Sequence, residues 1–175
     1  AQQTRERASG LHQGQVLKRK PKWLARALRA PMDARSLSRV IARLKAKAPD
    51  WNPTALAMVS ERTRDPFQVL IACLLSLRTK DETTGPAADR LFALADSPRA
   101  MLRLAPRQIE RVIFPVGFYR TKARVILGVC RALLERFGER VPDDLDQLLT
   151  LKGVGRKTAN LVVTMGFGKP GICVD

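Results

Sequence analysis

The segment Leu151-Lys152-Gly153-Val154-Gly155-Arg156-Lys157-Thr158-Ala159 sets two glycines one apolar residue apart, between a short helical stretch and a longer one. Glycine allows φ > 0 and close approach of a ligand to the backbone. The amides of such a turn converge with those of the next helix's first turn, which lack intrahelical acceptors. With the positive end of the helix dipole behind them, they form an anion site. Val154 is suited to anchor the turn in a core. No side chain has to grip the anion, so a phosphate would be held without regard to nucleotide sequence. A glycine turn between helices is weak evidence alone. Here it precedes an Arg-Lys pair at a helix start, in a chain with 32 Lys and Arg against 16 acids and a formal net charge of +16. Such a surplus attracts polyanions in a salt-dependent way and says nothing about fold.

The same segment carries a family resemblance. The signature Leu-x-Gly-Val-Gly-x-Lys-Thr-Ala matches at every defined position. Further matches are Leu74-Leu75-Ser76, the Gly117-Phe118-Tyr119 turn followed by Lys122-Ala123, and the closing Val174-Asp175. Over roughly Leu37 to Asp175 the chain resembles the endonuclease III family of helix-hairpin-helix DNA glycosylases and AP lyases. The resemblance implies a bifunctional enzyme of base excision repair that removes oxidised pyrimidines from duplex DNA and then nicks the strand. Lys157 matches the family's catalytic lysine, whose neutral amine displaces the base at sugar C1′ and stays attached as a Schiff base, allowing β-elimination. Burial, Arg156 and the helix N-terminus all favour the neutral amine. Adenine-specific relatives typically have serine at this position. Asp175 matches the catalytic aspartate, which steadies positive charge at C1′; its spacing from Lys157 favours that role, with the N-cap of a following helix as the alternative.

A glycosylase must extrude its nucleotide and fill the hole. In the family two loops do this, here Ser76-Leu77-Arg78-Thr79-Lys80-Asp81 and Gly117-Phe118-Tyr119. Arg78 stands where the family commonly has Gln, and Phe118 where it has Leu. Arg78 offers donors only, which bears on the preference for the opposite base. Phe118 is a larger wedge, or else a core residue of its turn. Asp81 matches an acid near the pocket, or caps the next helix. The expected DNA contacts are Gly153, Val154, Gly155, Arg156, Arg78, Thr79, Asp81, Phe118, Tyr119, Arg120 and Lys122. Arg120, Lys122 and Arg124 are assigned to phosphates, with solvated surface as the alternative. The hairpin carbonyls of Leu149, Leu151 and Val154 are a possible monovalent cation site.

The elements that must position these residues read as all-α, many short helices around one buried helix. Residues 1–35 form a basic arm, with the only histidine, His12, inside it. From Ser36 onward, Leu37, Val40, Ile41 and Leu44 share a helical face until Pro49. The segment 36–64 is read as a helix of a second, cluster-side domain. Residues 65–167 form the helical domain, with the hairpin at about 143–167, and 168–175 return to the cluster side. Asp65-Pro66 starts a helix whose residues Phe67 to Leu75 are apolar on nearly all sides, as in a helix buried all round. Ser97-Pro98 and Ala105-Pro106 repeat the cap-and-proline signature. Val125, Ile126, Val129, Cys130, Leu133, Leu134 and Phe137 form a helical stripe closed by Gly138.

Cys73, Cys130 and Cys173 show no metal-ligand spacing. Family members continue past the aspartate with Cys-x6-Cys-x2-Cys-x5-Cys holding a 4Fe–4S cluster. The resemblance therefore implies a cluster in the intact protein with ligands absent from these 175 residues, and the chain is expected to be a piece of a longer one. The expected partner is damaged double-stranded DNA, with a monomeric protein and no membrane. The compartment is the cytoplasm with the nucleoid if the source is bacterial, although the basic N-terminus also suits an organelle transit peptide. Competing readings are a non-catalytic helix-hairpin-helix DNA-binding module and an RNA-binding basic protein.

Overall fold

The computed structural model describes residues 33–173. The expected basic arm, His12 and the closing Val174-Asp175 lie outside them. The chain divides into two compact units at Trp51/Asn52.

In the first unit, helix α1 spans Ala34–Lys47, begun by Asp33, whose carboxylate accepts from the Ser36 amide at 2.6 Å. This start lies two residues before the expected one. A 3-10 turn, Ala48–Asp50, follows, with Pro49 ending the α-helix as expected. None of the residues of α1 is buried, and Leu37, Val40, Ile41 and Leu44 are each 42–50% exposed.

Among the described residues, the regular elements of the second unit are all helical: α2 (Ala55–Thr63), α3 (Pro66–Ser76), α4 (Asp81–Leu94), α5 (Pro98–Met101), α6 (Pro106–Ile113), α7 (Tyr119–Phe137), α8 (Leu145–Leu149) and α9 (Arg156–Leu161). Its centre is α3. Phe67 and every residue from Val69 to Leu75 are buried, because α2, α4, α7, α9 and the segment after α9 pack around it. The helix starts where the sequence indicates: the Asp65 carboxylate accepts from the Phe67 amide at 2.9 Å, and Pro66, which has no amide hydrogen, takes the first position. Ser97 caps α5 in the same manner, through the Ala100 amide. Ala105 has no acceptor side chain, and Gln108 supplies one instead, accepting from the Ala105 amide at 2.7 Å.

Segment 36–64, read as belonging to a cluster-side domain, holds two helices, α1 and α2, that fall in different units. Helix α2 belongs to the second unit, where Ser60 Oγ donates to the Met165 carbonyl at 2.7 Å. The second helix of the hairpin is α-helical from Arg156 to Leu161. It widens into a π-turn over Val162–Gly166, a form found as single turns inside helices.

Candidate functional site

The hairpin is built by local bonds and one steric demand. Asp144 caps α8 through the Gln147 amide at 2.9 Å. The Val154 amide closes the turn onto the Leu151 carbonyl at 3.0 Å, with Leu151 and Val154 both buried. Gly153 holds φ +93°, and a Cβ there would lie 2.5 Å from Val125 Cγ1 on α7. Glycine is thus required twice, by backbone and by space. Gly155 is different: its φ is −91° and a Cβ would meet nothing within 4 Å. The protein leaves open space at the mouth of α9. The first bond of α9 runs from the Ala159 amide to the Gly155 carbonyl at 2.9 Å, so the amides ahead of it have no intrahelical acceptor.

Lys157 lies on the first turn of α9, half-buried. Buried Cys73 of α3 is near enough to feel two neighbours. Burial pushes its thiol up to about 12, Cys173 adds to the rise, and the charge of Lys157 opposes it. The chain after the π-turn runs back along α9. Gly171 sits so close that a Cβ would lie 2.6 Å from Thr164 Cγ2 and 3.3 Å from Asn160 Oδ1, and Cys173 Sγ lies 3.9 Å from the Lys157 carbonyl. Thr164 cannot swing aside freely, because its hydroxyl donates to the Asn160 carbonyl at 2.8 Å. Gly171→Ala should therefore lift this return segment. On the activity that the resemblance implies, borohydride trapping of abasic DNA should fall on the order of tenfold or more while duplex affinity holds. Equal trapping by the variant and the parent would show that the segment's seat is irrelevant.

The two loops expected to enter DNA lie against each other. Arg78 and Phe118 both adopt left-handed backbone, φ +54° and +58°. The Arg78 guanidinium lies 4.9 Å from the Phe118 ring centroid. Phe118 is 59% exposed, so the alternative of a core residue does not hold. Tyr119 is half-buried, packed edge-on against Phe114 with centroids 5.5 Å apart, and Arg120 covers its ring at 5.3 Å. Arg124 is exposed.

Lys122 is the principal correction. Expected on the phosphate-facing surface, its side chain is buried and turned inward. Its amine donates to the carbonyls of Leu75 at 2.7 Å and Leu77 at 2.6 Å, and to Thr79 Oγ1 at 3.0 Å. Burial among these neutral oxygens pushes the ammonium down to about 8. Thr79, expected at DNA, accepts from both Lys122 and the Gly117 amide, the latter at 3.1 Å. The Asp81 carboxylate accepts from the Ala55 amide at 3.2 Å, holding the start of α2 rather than capping its own helix. Arg90, which the sequence did not single out, donates to the carbonyls of Val112 and Phe114, both at 2.9 Å. It fixes the chain entering the Gly117 turn.

The lowered Lys122 value gives a pH dependence. From about 8 up to the ordinary 10.5, the unfolded chain binds the more protons at this site, so unfolding free energy rises with pH. The thiols of Cys73 and Cys130, pushed up to about 12 by burial, act oppositely above their ordinary 9. Subtraction isolates the lysine. The stability of wild type minus that of Lys122→Met, from urea unfolding, should increase between pH 8 and 10.5. A flat difference would contradict the desolvated amine.

The description "HhH-GPD superfamily base excision DNA repair protein" belongs to a family model that matches residues 71–175. The chain belongs to this family. As an HhH-GPD protein it is similar to endonuclease III of Thermotoga maritima, 45% identical over 116 residues, which are 66% of this chain and 54% of that protein. Endonuclease III of Escherichia coli is 44% identical over 110 residues, 63% and 52% of the two chains. The chain thus spans about half the length of the curated relatives it matches. A solved non-covalent endonuclease III–DNA complex superposes with a TM-score of 0.73 at 34% identity, over 83% of this chain and 65% of that one. A trapped endonuclease III–DNA covalent intermediate gives 0.62 at 40% identity, over 63% and 52%.

The HhH-GPD core described here does not fit an iron–sulfur cluster. Cys73 and Cys130 are buried and Cys173 is exposed. Among the described residues no three His, Cys, Asp or Glu side chains come together as metal ligands. Likewise among the described residues, no helix is long and apolar enough to cross a membrane.

Proposed function

We propose that this chain carries the base-excising and strand-cutting site of a DNA glycosylase and AP lyase acting on damaged duplex DNA. Lys157 is the nucleophile and Asp175 the assisting carboxylate. One observation carries the reading: the segment that leads to Asp175 is seated against α9, with Cys173, two residues earlier, 3.9 Å from the Lys157 carbonyl.

The chemistry follows from an amine beside an extruded sugar. The Lys157 amine forms a bond to C1′ as the glycosidic bond breaks, its electron pair leaving with the base, which takes up a proton. The Asp175 carboxylate steadies positive charge at C1′. Opening of the C1′–O4′ bond, with a proton to O4′, gives the Schiff base. Loss of a C2′ proton then expels the 3′ phosphate, and water releases the lysine. The open backbone at Gly155 and the start of α9 suit a phosphate of the same strand. A monovalent cation on the carbonyls of Leu149, Leu151 and Val154 would strengthen that grip. Arg78 and Phe118 enter the duplex beside the extruded nucleotide, and Arg120, Arg124 and Arg156 meet phosphates. Oxidised pyrimidines are the proposed lesions, from the endonuclease III likeness. A 4Fe–4S cluster, if the intact protein has one, takes its ligands from outside these residues.

The test is chemical. The protein mixed with an abasic duplex and borohydride should yield one adduct with the summed mass of protein and DNA. Duplex binding without any adduct would favour the non-catalytic module instead.

A further inference from the structure

We infer that Lys122 is a positioning residue that clasps the 76–80 loop to the Gly117 turn, so that Arg78 and Phe118 enter the duplex as one preassembled wedge. This rests on the proposed reaction, since it names what readies that site for an extruded nucleotide.

The observations converge on these two loops. Arg78 and Phe118 both hold a left-handed backbone that only glycine adopts without strain, and such strain persists only where surroundings enforce it. The enforcing contacts are visible. Lys122 rises from the first turn of α7 and bonds the Leu75 carbonyl of α3 and, in the loop that follows, the Leu77 carbonyl and Thr79. Thr79 in turn receives the Gly117 amide. Gly117 sits so close to the other loop that a Cβ would lie 2.7 Å from the Arg78 carbonyl. The two loops therefore touch through backbone and are tied by one buried amine, and their exposed ends meet as a guanidinium over a ring. All three acceptors of the ammonium are neutral. Burying a charge without an opposite charge is unfavourable for stability, which favours a role in fixing geometry. An apolar side chain at this position could not bond the 76–80 loop to the start of α7, nor reach Thr79, which holds the Gly117 amide.

The test separates extrusion from chemistry. Lys122→Met keeps length and removes the donors. Its excision of a damaged base from duplex should fall on the order of 10–100-fold. Trapping on an abasic single strand, which needs no extrusion, should stay within about twofold. In a Phe118→Ala background, Lys122→Met should cost little more, because the wedge it positions is already gone. Lys122→Arg, which keeps donors, should restore part of the excision rate. Equal losses on duplex and single strand, or full additivity with Phe118→Ala, would overturn the inference. If Lys122→Met does not fold, Thr79→Val removes the shared hydroxyl and is judged by the same comparison. If the wild type traps nothing at all, the catalytic reading fails. The clasp is then judged by the fluorescence of 2-aminopurine opposite an abasic site, which should rise on binding wild type and not on binding Lys122→Met.

Discussion

Lys157→Ala is expected to abolish the borohydride adduct and lower strand cutting at abasic sites on the order of a thousandfold or more, because the proposed bond to C1′ is made by its amine. Duplex affinity should change little. The proposed anion-binding parts are backbone groups of the turn and of the start of α9, which alanine leaves in place, and alanine favours the helix. Circular dichroism and a melting curve would confirm an intact fold. The informative contrast is between binding and chemistry: a parallel loss of both would mean that Lys157 serves DNA affinity. A variant that still forms the adduct would move the nucleophile elsewhere, with Lys152 the nearest other amine in the sequence.

Gly153→Ala should do the reverse, damaging binding first. A side chain at φ +93° is strained by the backbone, and its Cβ would press on Val125 at 2.5 Å. Left-handed strain costs about 1–2 kcal/mol, and forcing an extra methyl into packed space about 1–3 kcal/mol. The sum predicts a stability loss of about 2–5 kcal/mol, read by urea unfolding. Whatever fraction folds should bind duplex on the order of 10–100-fold more weakly, since the turn's amides are re-aimed. Pairing the change with Val125→Ala, which clears the space but leaves φ positive, should recover part of the loss. No recovery would assign the whole effect to the backbone. Gly155→Ala is the control: with nothing within 4 Å of its Cβ, stability should hold while DNA binding drops.

Local signals in the sequence were read correctly because their causes are local. The Asp65-Pro66 start, the all-apolar run of α3, the Gly138 closure of α7 and the hydrogen bonds of the hairpin each depend on residues a few positions apart. The misreadings involve partners distant in sequence. Lys122 bonds carbonyls more than forty residues earlier, and in a chain of +16 an inward-turned lysine looks like any other. A signal did exist: Lys122 lies four residues before Ile126, on the buried face that continues through Val129 and Leu133. Asp81 holds Ala55 twenty-six residues earlier, and no spacing rule reaches that far. The division after Trp51 was missed for a similar reason. The residues of α2 are ordinary helix formers, and it is their contacts with α3, α4 and the π-turn that assign them to the second unit. The pairing of Lys157 with Asp175 came from the resemblance alone and rests on the experiments above.

The unequal fates of the three cysteines provide a handle for spectroscopy. Cys73 and Cys130 are sealed in the core with thiols that resist ionising, whereas Cys173 is exposed beside the Lys157 backbone. A maleimide dye should consequently attach at one position under native conditions, without prior mutagenesis. Its emission would then report, in real time, the arrival and departure of a DNA strand at the proposed reaction centre.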